Sequence, residues 1–170
     1  MSLYPVFLEI KKLLGTVPAW LDKATEHATA KKYDPNTLLQ ARLAPDMFPL
    51  VRQIQSACDQ AKYAAGRASG KDIPSHPDTE QTVDELRKRV AAVQSYLDGF
   101  TAKDFDGADD RSVSLPRWEG RSMSGTSYFV EFALPNFFFH ITMAYAILRH
   151  NGIDVGRRDF VGALTFRERS

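Results

Sequence analysis

His140 interrupts the most apolar helical stretch of the chain, among Phe137, Phe138, Phe139, Ile141, Met143, Ala144 and Tyr145. An imidazole there is either a core group satisfied by hydrogen bonds, or part of a polar pocket that exchanges a proton or holds a metal. Asn136 lies four residues earlier, on the same helical face. A second helical stretch offers an opposing wall, because Asp46, Gln53 and Gln60 recur every seven residues beside Leu50 and Ala57. Such spacing also marks the polar border of any packed seam. His140, Asn136, Gln53 and Asp46 are therefore the pocket candidates. His140 and Asn136 are the candidate metal ligands, and no residue is assigned a catalytic role.

Familiar chemistries are excluded by motif. No glutamate precedes a histidine by three positions, as the Glu-x-x-His pairs of di-iron bundles require. There is no His-Glu-x-x-His, phosphate-binding glycine loop, dinucleotide fingerprint or Gly-x-Ser-x-Gly elbow. Cys58 sits on an apolar seam and reads as a small buried hydrophobe. His27 near a helix end and His76 between Pro74 and Pro77 are expected in solvent, and His150 suits the last turn of a helix.

Charge and composition narrow the partners. Lys plus Arg number 22 against 21 Asp plus Glu, so no basic excess points to nucleic acid. One cysteine allows no intrachain disulfide, and with no apolar signal segment the cytoplasm is the expected compartment. The longest apolar stretch, 132–148, is broken by Pro135, Asn136, His140 and Thr142, too short and too polar to span a bilayer, so no membrane partner is expected.

The elements that must position these residues are helical. Leu3, Phe7, Ile10, Leu14, Val17, Leu21, Ala24 and Ala28 alternate in steps of four and three, and Val6, Leu13 and Trp20 widen the stripe. Ser2 is a candidate N-cap, and Pro18 should kink this helix or split it after Thr16. A second pattern over 37–69 carries Met47, Leu50, Val51, Ile54, Ala57, Cys58, Ala61, Ala65 and Ala68. Pro45 and Pro49 predict a broken start, a regular helix after Leu50 and a stop at Gly70. A third helix starts near Asp78 or Thr79, with Val83, Leu86, Val90, Val93, Leu97 and Phe100 as its seam; Asp84, Glu85, Arg87, Lys88 and Arg89 form its wet face. Over 101–131 the rhythm changes to alternation at Val113 and Leu115 and again at Tyr128, Val130 and Phe132, which predicts a hairpin with Pro116 on an open edge. The last helix, 134–150, has no polar face and ends at Asn151-Gly152. It is central or covered by another subunit, so a homodimer is expected. The tail docks through Phe160, Val161 and Leu164 and then frays. The chain therefore reads as one domain, 1–170: all-α, a four-helix bundle with a small β-hairpin in the long connection before the last helix.

The run LAPDMFPLVRQ from Leu43 to Gln53, Ala57-Cys58-Asp59, and the segment 136–162 with AILRHNG at Ala146 and GRRDF at Gly156 resemble the DinB/YfiT-like superfamily. The likeness spans nearly the whole chain and is closest to a branch of unknown function. The resemblance implies a four-helix bundle and, in better-known members, a divalent metal held by one histidine of the second helix and a His-x-x-x-His of the fourth. Some members use that metal to activate a low-molecular-weight thiol for transfer or isomerisation. Counting back from Gly152 sets His140 at the second position of the pair and Asn136 at the first; the second helix has no histidine, and Gln53 or Asp46 stands nearest that position. An amide binds zinc-like ions weakly. No cofactor is assigned with certainty, and zinc or nickel is the metal that the resemblance allows. Two readings follow: a small-ligand-binding or non-catalytic homodimer with a degenerate metal site, or a metal-dependent thiol S-transferase or isomerase that uses His140.

Overall fold

A computed structural model describes residues 2–166. Helices account for 66% of it. The first apolar stripe forms α1, Tyr4–Leu14, and α2, Val17–Lys31, separated at Gly15–Thr16 where Pro18 has no N–H to continue the ladder. The split is therefore where the sequence predicts it. Ser2 is not the cap, because Leu3 precedes α1 in helical geometry without a side-chain bond. The second pattern opens with a 3-10 turn at Pro35–Gln40, the stretch 41–49 with Pro45 and Pro49 is not helical, and α3 runs regularly over Leu50–Ser69 until Gly70 at φ +77°. Its buried Ala57, Ala61, Ala64, Ala65 and Ala68 let neighbouring helices approach closely.

The third helix, α4 at Val83–Asp98, starts later than the sequence suggests. Thr82 and Glu85 form a reciprocal capping box that outcompetes an earlier start at Asp78. Its predicted seam from Val83 to Phe100 is buried throughout. The hairpin exists, but its second strand differs from the prediction. Ser112–Ser114 (β1) pairs antiparallel with Ser122–Ser124 (β2), and Pro116 opens the 3-10 turn between them. Tyr128, Val130 and Phe132 are not strand residues: a short α5, Gly125–Ser127, leads into a π-helical stretch at Tyr128–Ala133 and then α6, Leu134–His150. The stretch packs Tyr128, Phe129 and Ala133 inward, a spacing of wide helical turns rather than of strand alternation.

The continuous run Gly125–His150 has 26 residues and by length and composition is long and apolar enough to cross a membrane. The apolar segment is therefore not too short to span a bilayer, because α5 and the π stretch extend it. Here Phe137, Ile141, Ala144, Ile147 and Leu148 are buried against the bundle, with α3 as the main neighbour. After Asn151, Phe160 of α7 (Arg157–Val161) stacks on Trp20 at 5.8 Å and meets Tyr145 edge-on at 5.6 Å. Leu164 is exposed rather than docked. The expected fraying beyond it falls on 167–170, outside the described residues.

Candidate functional site

α3 and α6 bring two of the sequence candidates together. His140 Nδ1 lies 2.8 Å from Gln53 Oε1. Because an amide oxygen only accepts, this geometry assigns the proton to Nδ1 and leaves the Nε2 lone pair free. Gln53 is 1% exposed, and its Nε2 donates to the Phe48 carbonyl at 3.3 Å, so the amide is fixed at both ends. Phe48 stacks on the imidazole at 6.4 Å, and Phe139 meets it edge-on at 5.2 Å. Burial, and secondarily the Arg52 guanidinium, hold the His140 pKa below the ordinary imidazole value.

The other two candidates are not partners of His140. Asn136 turns back along its own helix and donates Nδ2 to the Phe132 carbonyl at 2.6 Å. Asp46 is exposed in the turn before α3. Gln60, one heptad beyond Gln53, lines a separate cleft beside Tyr63.

The three positions that would hold a metal thus present one imidazole, an amide oxygen already engaged by it, and an amide committed to a backbone carbonyl. Among the described residues no three His, Cys, Asp or Glu side chains converge as ligands. Cys58 supplies no thiolate, since burial pushes its pKa up to about 12. These residues do not fit a zinc-like site.

A family model described as "Domain of unknown function (DUF1993)" matches residues 4–161. The chain belongs to that family. It is also similar to a solved DinB family member from Shewanella denitrificans, at 44% identity over 96% of this chain and 93% of that one, with a TM-score of 0.92. The comparison with curated proteins gives no match. The DinB-like resemblance read from the sequence therefore stands, as does the helical fold with its hairpin.

This DUF1993 chain also holds a charged cluster on the α4 side of α3. Arg89 is not on a wet face: its side chain is 1% exposed, and it donates to Asp59 at 2.7 Å, Glu80 at 3.3 Å and Asp78 at 3.4 Å. Lys62, 2% exposed, pairs with Asp59 at 3.0 Å and donates to the Pro74 carbonyl at 3.1 Å. Gln55 Nε2 donates to Glu80 at 2.7 Å. His76 is half-buried rather than solvated, with Nδ1 3.3 Å from Lys62 Nζ; burial first, and then the Lys62 charge, lower its pKa. Arg52 joins this cluster to the histidine site by pairing with Asp78 while lying 5.7 Å from the Phe48 ring. The sequence places Arg89 on the wet face of its helix, and the loop carrying Asp78 and Glu80 covers that position. One signal was nevertheless present: Asp59 and Lys62 sit one turn apart beside Cys58, a charged pair next to a core position.

Proposed function

We propose that this protein is a small-ligand-binding, non-catalytic homodimer of the DinB-like kind that has lost the tight metal site. The observation that carries this reading is the His140–Gln53 bond at 2.8 Å with Asn136 turned onto Phe132, which leaves a single imidazole where a metal would need three ligands. The exposure of Phe138 (37%), Phe139 (52%) and Phe48 (50%) around the same end of α6 supports association of two copies there.

Metal analysis tests the first part. Protein purified without a histidine tag and dialysed should carry far less than one equivalent of zinc, nickel or iron per chain. A stoichiometric ion would overturn the reading and favour a metal-dependent thiol S-transferase or isomerase using His140. That second reading has one observation of its own, the free Nε2 lone pair of a neutral imidazole. Sedimentation tests the dimer. A species at twice 19.1 kDa is expected at high micromolar concentration, and a 19.1 kDa species alone would rule the dimer out.

A further inference from the structure

A cleft of about 330 Å³ opens between α3 and the segment that follows β1, lined by Gln60, Tyr63, Arg67, Leu115, Arg117 and Phe132. It continues the polar flank that begins at Gln53, since Gln60 and Arg67 follow at seven-residue steps. Two features mark it as built to receive something. The first is a pair of guanidinium groups without carboxylates. Arg67 is fixed 4.2 Å from the Tyr63 ring and 5.2 Å from the Tyr128 ring, and it donates to the Tyr128 hydroxyl at 2.6 Å. Arg117 lies 5.0 Å from the Phe132 ring. Among the described residues Arg67 and Arg117 pair with no carboxylate, as Arg42, Arg111, Arg121, Arg157 and Arg158 also do not; what sets these two apart is that both line one cleft. The nearby Asp59 is already neutralised by Lys62 and Arg89. The second feature is Gln60 Oε1, a buried acceptor that no donor among the described residues reaches. Buried acceptors are normally satisfied; rotation about the Gln60 side-chain torsions would turn this one into the cleft that Gln60 lines, where a ligand donor can meet it.

We propose that this cleft binds a small amphipathic oxyanion, a carboxylate or phosphate monoester on a flat apolar body that also carries an N–H or O–H donor. The proposal rests on the reading of the protein as a ligand-binding bundle and names the ligand class. Arg67 and Arg117 grip the oxyanion, as guanidinium forks do. The apolar body lies against Phe132, Tyr63 and Leu115, and the donor reaches Gln60 Oε1. A cleft of this volume suits a molecule of about one or two rings.

Calorimetric titration of the full-length, dialysed protein tests this with 4-hydroxybenzoate, benzoate, phenyl phosphate and neutral benzamide. The three anions should bind saturably and benzamide should not; whichever of benzoate and phenyl phosphate binds tighter names the anion. The hydroxyl should make 4-hydroxybenzoate about fivefold tighter than benzoate, the worth of one neutral hydrogen bond. Arg117→Gln, at an exposed position, should weaken every anion about tenfold, the worth of a charge-assisted bond, with the melting temperature unchanged. Gln60→Leu should abolish the preference for 4-hydroxybenzoate and raise the melting temperature, because it removes an unpaired buried oxygen. Absence of saturable anion binding, equal binding of benzamide, or insensitivity to Arg117→Gln would overturn the proposal. Metal content measured on the same samples keeps the two readings apart. A bound metal defeats the metal-free reading whatever the acids do, and silent acids defeat the cleft assignment whatever the metal content.

Discussion

The two sides of α3 treat buried polarity in opposite ways. Facing α6, Gln53 and His140 form a neutral pair with one hydrogen bond between them, beside half-exposed Phe48 and Phe139. Facing α4, buried Lys62 and Arg89 are ringed by the partly exposed carboxylates of Asp59, Glu80 and Asp78, and among the described residues Arg89 Nε is the one buried side-chain atom of this cluster without a partner. Charges taken out of water are tolerated only when paired and hydrogen-bonded, so the two buried cations on the α4 side must each be matched by carboxylates. A neutral imidazole and an amide carry a much smaller desolvation penalty, so the α6 side can stay open. The dense side is thus expected to hold α3, α4 and the 71–82 loop together, and the sparse side to meet ligands.

The largest effect should come from breaking the dense side. Arg89→Met removes the one cation that reaches three carboxylates and leaves Asp59 and Glu80, both largely out of solvent, with less compensation. Loss of one partner from a buried ion network costs about 3–5 kcal/mol, which urea denaturation would report as a lower midpoint at unchanged slope. A loss under about 1 kcal/mol would place the cluster with surface ion pairs and remove the contrast.

That contrast was only half legible in the sequence. The seams of α1–α4 were readable because apolar residues at helical spacing must face a core, and Pro18, Pro49 and Gly70 mark their breaks by missing donors or positive φ. His140 and Gln53 were legible as polar groups on apolar faces, although periodicity could not say that Gln53 rather than Asp46 faces the imidazole. The charged cluster stayed hidden because its interior is made by a loop. Asp78 and Glu80 precede α4, and helical spacing carries no information about where a loop folds back. The misassigned strand at Tyr128 failed for a related reason, since a π turn shifts which positions share a face and local alternation imitates a strand.

A smaller effect is expected on the sparse side. His140→Phe leaves Gln53 Oε1 buried without a donor, at about 1–3 kcal/mol. Replacing both partners, His140→Phe with Gln53→Leu, should recover most of that loss, because two apolar groups need no hydrogen bond. Chemical denaturation of the four proteins of this cycle gives the coupling directly. A double variant no more stable than His140→Phe would mean that the pair is not an isolated unit, and the sparse side would then resemble the dense one.

The smallest effect is a pH dependence in which both sides take part through one histidine each. Burial first, then Arg52 for His140 and Lys62 for His76, lower both imidazole pKa values below the ordinary value of 6.5. The unfolded chain keeps the ordinary value, so in the window below 6.5 it binds protons that the native state refuses. Stability is therefore full above 6.5 and is lost as the pH falls toward the native values. Between pH 6.5 and 5 this loss is separate from that of the carboxylates, whose lowered native values, such as about 2 for Asp104, act at more acid pH. Thermal midpoints measured across this window should fall on acidification. The double variant should remove the His140 share and His76→Asn the other. The comparison then sharpens: protonated His76 sets a cation 3.3 Å from buried Lys62, whereas protonation of His140 at its free Nε2 keeps the Nδ1–H bond to Gln53 and sets the new charge against the more distant Arg52. His76→Asn should accordingly flatten the profile more than the double variant does. A profile that stays flat in both variants and in the parent would mean that neither histidine is desolvated enough to resist its proton.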